Sequence, residues 1–253
     1  QILLNKIKKV IPTKIFRAIQ PYYHFFLSWL SAIVYRFPSE RLIVIGITGT
    51  TGKTTSVYFV AKMLEEIGYR VGYTSTAMFS DGKKEWLNDK KMTMLGRFFT
   101  QKMLKKMVSH GCQYAIIEST SEGIRQYRHR FIDFDLLVFT GLYPEHIESH
   151  GGFENYKKAK GELFRHLQRC KTKYVDDNKE VQFQKGLKKL DYNRVKKTII
   201  ANLEDEHAEY FLDFWAERKM GYLPRELNRE EHSFPTSTQV IQYNPSRAGK
   251  VQF

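Results

Sequence analysis

The chain has 253 residues, 42% of them hydrophobic, which is enough for one large domain with a sizeable core and argues against disorder throughout. A formal charge of +14 suits an anionic partner, whether nucleic acid, an anionic membrane surface or a polyphosphate-bearing substrate, and does not choose among them. Cys112 and Cys170 have neither CxxC spacing nor a disulfide-framework count, which excludes a disulfide scaffold and favours a reducing, cytoplasmic compartment.

Residues 1–40 read as a helical accessory segment that ends at "FPSER", where Pro38 breaks the pattern. Lys6, Lys8, Lys9, Lys14 and Arg17 precede the apolar run "YYHFFLSWLSAIVY", residues 22–35, which falls short of the roughly 18 residues that a spanning helix needs. The order of basic and apolar residues is that of a secretion signal, but no small-residue cleavage site follows before Pro38. Two readings stay open: a helix at the membrane interface, giving residues 1–37 a peripheral membrane contact, or a helix packed on the rest of the protein.

From residue 41 the texture changes. "LIVIGIT" (42–48) is an apolar run of strand length, a glycine-rich turn follows, and Val57, Val60, Met63, Leu64 and Ile67 then recur at helical spacing as far as Gly68. A strand near 70–75, a helix near 97–109, strands at 113–118 and 135–140 and a helix from Phe153 to about Gln168 continue the alternation. Strands separated by helices imply parallel βαβ units, so the fold class is α/β, a parallel sheet flanked by helices behind a helical N-terminal segment. The stretch 171–197 shows less pattern, 198–217 reads as one more strand and helix, and the tail offers only "TQVIQY" as a weak strand. The lysines are spread along the chain rather than gathered in a motif, so nucleic acid is not an expected partner.

Strand, "GITGTTGKTT" (46–55) and helix together have the form of a phosphate-binding loop, although Ile47 stands where GxxxxGK[ST] would put its first glycine. In such a loop backbone N–H groups and the positive end of the helix cradle the anion, a lysine reaches the terminal phosphates, and a hydroxyl binds magnesium. Gly49, Gly52, Lys53 and Thr54 can fill these roles. Glu118 closes a predicted central strand, at the end where parallel sheets place their ligand sites. On the helix from Phe153, the residues Phe153, Tyr156, Leu163, Phe164 and Leu167 form one apolar stripe, and Lys160 falls near its centre. A lysine buried there favours the neutral amine, which is able to take up carbon dioxide as a carbamate.

"TGTTGKTT" resembles the TGTxGKTT loop of the Mur ligases and of the related folylpolyglutamate synthetases, whose glycine stands four positions before the lysine. "IIESTSEGIRQYR" (116–128) and "FTGLYPEHIESHGGFENYKKAKGELF" (139–164) are similar to the acid-serine-serine stretch and to the DHLDxHG and AKxxLF motifs of the UDP-N-acetylmuramoyl-tripeptide synthetases within that family. The resemblance implies an ATP-dependent amide ligase of peptidoglycan precursor synthesis. It would add an amino acid to a UDP-N-acetylmuramoyl-peptide through an acyl phosphate, with ATP and Mg2+. Residues Gly49, Thr50, Thr51, Gly52, Lys53, Thr54 and Thr55 would bind the nucleotide, Thr54 and Glu118 one magnesium, and His146 with carbamylated Lys160 a second. Lys53, Glu118, His146 and Lys160 would serve catalysis; Thr93, Ser121, Gln126 and Arg128 would contact the UDP-sugar peptide.

Departures from the family pattern are Thr51 for asparagine in the loop, Met94 and Leu95 in the TTP motif, Gly141 and Tyr143 in TNLT, and Glu145 and Glu148 for the aspartates around His146. His150 reads as structural. Residues 41–253 would be the central ATP-binding domain, incomplete, with residues 1–40 in place of the family's UDP-binding domain and no C-terminal ligase domain. Two alternatives remain: another amide ligase of the superfamily, such as a folylpolyglutamate or cyanophycin synthetase-like protein, and a non-catalytic nucleotide-binding module docked on a membrane or partner.

Overall fold

A computed structural model describes residues 13–90, 92–145, 150–176, 179–183, 193–223 and 238–242. Helix α1 (Thr13–Val34) and a short 3-10 turn (Pro38–Arg41) lead into strand β1 (Ile43–Thr48). Helix α2 (Lys53–Glu66), strands β2 (Val71–Thr74), β3 (Met78–Ser80) and β4 (Glu85–Leu87), and helix α3 (Arg97–Ser109) follow. Then come β5 (Tyr114–Glu118), α4 (Ser121–Arg125), β6 (Leu136–Phe139) and α5 (Phe153–Leu167). The remainder comprises β7 (Lys173–Val175), β8 (Val181–Phe183), β9 (Asn193–Val195), β10 (Thr198–Asn202), α6 (Ala208–Leu212), β11 (Arg218–Leu223) and β12 (Thr238–Gln242).

Among the described residues nine strands form one sheet in the order β12-β11-β10-β6-β1-β5-β2-β3-β4, parallel except for β3 and β4, which add an antiparallel ribbon at one edge. Every residue of β1 is buried, as a central parallel strand with helices on both faces requires. Alternate side chains feed two cores. Val44 joins Ala115, Ile117, Leu137, Phe139 and Ile199 beneath α3, α5 and α6, whereas Ile45 and Ile47 join Val57, Ala61, Val71 and Ile116 beneath α2.

The expected alternation of strands and helices from 42 to 168 is present, with element ends within a few residues. Two features lie outside the expectation. The low-pattern stretch carries the three-stranded antiparallel sheet β8-β7-β9, whose three-residue strands are too short to display a period of two. The β3-β4 ribbon is short for the same reason. The stretch 198–217 carries the expected strand, β10, and helix, α6, although α6 is only Ala208–Leu212 before β11 begins. Both β10 and β11 are short and parallel, so the connection must turn at each end and only its middle is left for helix. Cys112 and Cys170 are free and buried, in line with the reading against a disulfide scaffold.

At the N-terminal ends of the strands, Asp135 is wholly buried and accepts from the Val44 N–H at 2.8 Å, from Lys173 Nζ at 2.6 Å and from Lys197 Nζ at 2.8 Å. Lys173 also donates to the carbonyls of Leu42 and Asp133, and Lys197 to that of Phe134. Burial lowers the Lys173 amine from its ordinary value, and the Asp135 carboxylate opposes that shift. Removing the carboxylate leaves two buried ammonium groups with carbonyl partners alone, so Asp135→Asn is expected to destabilise the fold by about 3–5 kcal/mol. Guanidinium unfolding monitored by circular dichroism measures it; a loss under about 1 kcal/mol would mean that the lysines escape to water.

Candidate functional site

The C-terminal ends of β1, β5 and β6 open into a cleft of about 490 Å³ lined by the loop 50–55 together with Thr76, Thr93, Glu118, Thr120, Ser121, Glu145, Tyr156 and Lys160. The loop's shape depends on two glycines. A Cβ at Gly49 would meet Thr140 Oγ1 at 2.1 Å and the Gly141 carbonyl at 2.9 Å, so the close approach of the β6 end forbids any side chain. Gly52 has space for one but caps α2 with φ 75°, a left-handed conformation that costs other residues energy. The loop is braced from below: Thr50 N–H donates to Gly141 O at 2.7 Å, Thr140 Oγ1 to Thr51 O at 2.7 Å, and Tyr143 N–H to Thr50 Oγ1 at 2.9 Å. The first N–H groups of α2 have no intrahelical acceptor, and the residues that bear them line the cleft, which suits that end to an anion.

Glu118 is 1% exposed, and its carboxylate is shaped by hydroxyl and amide donors rather than by a cation. Thr54 Oγ1 lies 3.1 and 3.0 Å from its two oxygens, and Thr76 donates from its N–H at 2.7 Å and its hydroxyl at 2.9 Å. With the Thr76 proton directed to Glu118, the Thr93 hydroxyl, 2.8 Å away, becomes the donor to Thr76. Thr76 is absent from the sequence-based candidates. Its signal was positional: β2 pairs with β5 with Thr74 beside Ile117, so the residues just past β2 land next to Glu118.

Lys160 is 2% exposed, as its place in the α5 stripe predicts, although its ammonium enters the cleft wall rather than the apolar core. Its Nζ donates to Gly49 O at 2.8 Å and lies 4.5 Å from the centre of the Tyr156 ring. Burial brings its pKa down to about 7; the charge of Lys53 acts in the same direction and Glu145 against it. Lys53 Nζ donates to Thr50 O at 2.6 Å, and burial lowers its pKa also. The Tyr156 hydroxyl, 3.1 Å from Thr50 Oγ1, joins α5 to the loop.

The cleft thus unites Thr50, Thr51, Gly52, Lys53, Thr54, Thr55, Thr93, Glu118, Ser121 and Lys160, with the Gly49 carbonyl in its wall. Ser121 Oγ is 3.1 Å from Nε2 of buried His150. Gln126 and Arg128 do not line it. Arg128 donates to Gln126 Oε1 at 3.1 and 2.6 Å and to the Met94 carbonyl, so the pair buttresses the bend between β4 and α3 that carries Thr93. Met94 is buried against Gly123, where a Cβ would meet its sulfur at 2.5 Å, which accounts physically for an apolar residue there. His146 and Glu148 lie outside the described residues. A larger cavity of about 630 Å³ lies between the sheet and β7–β9; its mostly apolar lining lacks a phosphate loop, so chemistry rather than size selects the smaller cleft.

The profile of the Mur ligase middle domain matches residues 47–211. A UDP-N-acetylmuramyl-tripeptide synthetase of Borreliella afzelii is 35% identical over 199 residues, covering 76% of this chain and 38% of that protein. Its namesake from Treponema pallidum is 39% identical over 143 residues, covering 56% of this chain and 26% of that protein. This chain therefore spans well under half the length of these relatives. The solved structure of a UDP-N-acetylmuramoyl-L-alanyl-D-glutamate–2,6-diaminopimelate ligase shares the fold, with a TM-score of 0.54 at 23% identity over 73% of this chain and 32% of that one.

Lys160 carries a pH signature of its own. Its amine titrates at an ordinary 10.5 when unfolded and at about 7 when folded. Between these values the unfolded chain binds a proton that the folded chain lacks, so stability is full above the upper value and is lost as pH falls through the lower one. In carbonate-free buffer, the unfolding free energy of the wild type relative to Lys160→Met is expected to rise by up to about 1.4 kcal/mol per pH unit between roughly pH 7.5 and 9.5. Denaturant titrations across that range measure it; a flat difference would refute the buried neutral amine.

Proposed function

The chain belongs to the Mur ligase family, and from that premise we propose that it is the nucleotide-binding core of an ATP-dependent amide ligase that adds an amino acid to a UDP-N-acetylmuramoyl-peptide. The observation that carries this reading is the convergence of the phosphate loop, Glu118 and Lys160 on one cleft. Residues 41 onward form the ATP-binding unit and residues 1–40 an accessory segment.

In this reading, the γ-phosphoryl group of ATP passes to the acceptor carboxylate, and the amine of the incoming amino acid then displaces phosphate from the acyl phosphate. Both steps crowd negative charge together, and the chain's part is to hold fixed donors where that charge accumulates. The N–H groups at the start of α2 and the Lys53 ammonium hold the nucleotide phosphates. The half-buried setting of Lys53, close to the loop carbonyl it now contacts, lets it turn to phosphate without ordering a long exposed side chain. Thr93 and Ser121 line the acceptor side, and Gln126 and Arg128 serve it from behind by fixing the Met94 backbone.

The donor set suits magnesium. A hydroxyl and one carboxylate supply few, hard oxygens and leave positions for phosphate oxygens and water. Thr54 and Glu118 would hold one ion, and the carbamate of Lys160 with His146 a second; bound there, magnesium would neutralise the phosphate oxygens. Lys160 is suited to carbamylation because burial makes its amine a nucleophile near neutrality. Its neighbour Lys53 would then compensate the new anion.

The test is direct. Calorimetry is expected to show ATP binding in the presence of magnesium, weakened about tenfold or more in Lys53→Ala, since a charged phosphate contact is worth roughly 1.5–3 kcal/mol. With carbon-13 bicarbonate, a carbamate resonance is expected in the wild type and absent from Lys160→Met. Undiminished affinity in Lys53→Ala would overturn the nucleotide site. ATP binding without amino-acid-dependent ADP release from the assembled ligase would favour a non-catalytic module.

A further inference from the structure

Helix α1 has its polarity turned inside out. On the side against the body Ser28, Ser31 and Ala32 are buried and the Phe25 ring packs on Tyr127 and Phe131, while Ser28 Oγ is 2.8 Å from the Tyr127 carbonyl and Arg97 Nε donates to the same hydroxyl at 2.9 Å. The side facing away carries Ile19, Tyr22, Phe26, Trp29 and Ile33, all between 40% and 79% exposed. At 100° per residue these five fall within an arc of about 80° and form a stripe about 21 Å long. Single exposed apolar residues are ordinary, but five in one register make a continuous patch. No Asp, Glu, Lys or Arg interrupts the helix between Arg17 and Arg36.

We propose that this face of α1 docks on a lipid bilayer bearing anionic headgroups, its axis parallel to the surface and its aromatic rings at the boundary between headgroups and acyl chains. Charge selects this occupant. The first 39 residues of the sequence contain six basic residues and no acidic one, with Lys14 and Arg17 before the stripe and Arg36 after it. Lys102 and Lys105 add exposed positive charge on α3, the helix against which α1 packs. A second copy of the chain would set these cations against each other, whereas anionic lipids attract each of them. Trp and Tyr combine an apolar body with a polar edge, as the interface demands. Depth is limited, since no described helix is long and apolar enough to cross a membrane, and Gln20, His24, Ser28 and Ser31 share the remaining faces.

The experiment is co-sedimentation of the full chain with sucrose-loaded vesicles of phosphatidylcholine alone or with about 30% phosphatidylglycerol. Binding is expected to the anionic vesicles, to weaken with added salt, and to fall about tenfold or more in the triple variant Tyr22→Ser, Phe26→Ser, Trp29→Ser. The three side chains are exposed, so circular dichroism and ATP affinity should be unchanged and thereby separate this result from the fate of the nucleotide site. Absence of wild-type binding to anionic vesicles, or equal binding of the triple variant, would overturn the proposal. So would a dimer abolished by the triple variant in the absence of lipid, which would assign the face to a second copy.

Discussion

The Asp135 carboxylate, wholly buried, gathers the Lys173 and Lys197 ammoniums and the Val44 amide, and so fixes the end of the sheet from which the cleft-lining strands run. One anion serves two cations, and three backbone carbonyls of the surrounding segments supply the balance. Such a cluster tolerates no slippage, because each partner is fixed at both ends by hydrogen bonds within the core. From that base, β1, β5 and β6 run in parallel register, Ile47 beside Glu118 and Thr48 beside Phe139, and deliver the loop, the carboxylate and Thr140 to a common level. A slip of one residue would turn Glu118 to the other face of the sheet.

The site at the opposite end inverts this economy of charge. Lys53 and Lys160 donate to loop carbonyl oxygens and Glu118 accepts from hydroxyl and amide donors, so their hydrogen bonds do not pair cation with anion, although Glu118 and Glu145 act on the Lys53 charge from nearby. Such separation is costly in isolation, and the fold sustains it through the bracing of residues 140–143 and 156 against the loop. Under the proposed function the gain is preorganisation: the groups are oriented before any ligand arrives, and a polyanion would find its donors without their having to be ordered on binding.

Much of this was legible in the residues. The apolar strand, the glycine loop and the helical period around 42–67 specify a phosphate loop locally, and the misplaced first glycine is resolved by Gly49, whose missing side chain admits the end of β6. Lys160 was legible too, since a charge at the centre of an apolar stripe demands a reason. Thr76 was not, because its value comes only from pairing between β2 and β5, a long-range fact with no local pattern. The three-residue strands β3, β4, β7, β8 and β9 escaped because a period of two needs more residues to show itself. Gln126 and Arg128 fit a motif in one dimension, yet in three they hold each other and the Met94 backbone behind the cleft wall.

The two cysteines end as a pair of spectators with a practical use. Burial pushes both thiols up to about 12, so neither forms thiolate at neutral pH, and the Cys112 sulfur fills the space left by the absent side chain of Gly82. A cysteine introduced at an exposed position would therefore react with maleimide alone. Site-selective labels for distance or fluorescence measurements could be installed one at a time, without a cysteine-free background and without disturbing the core.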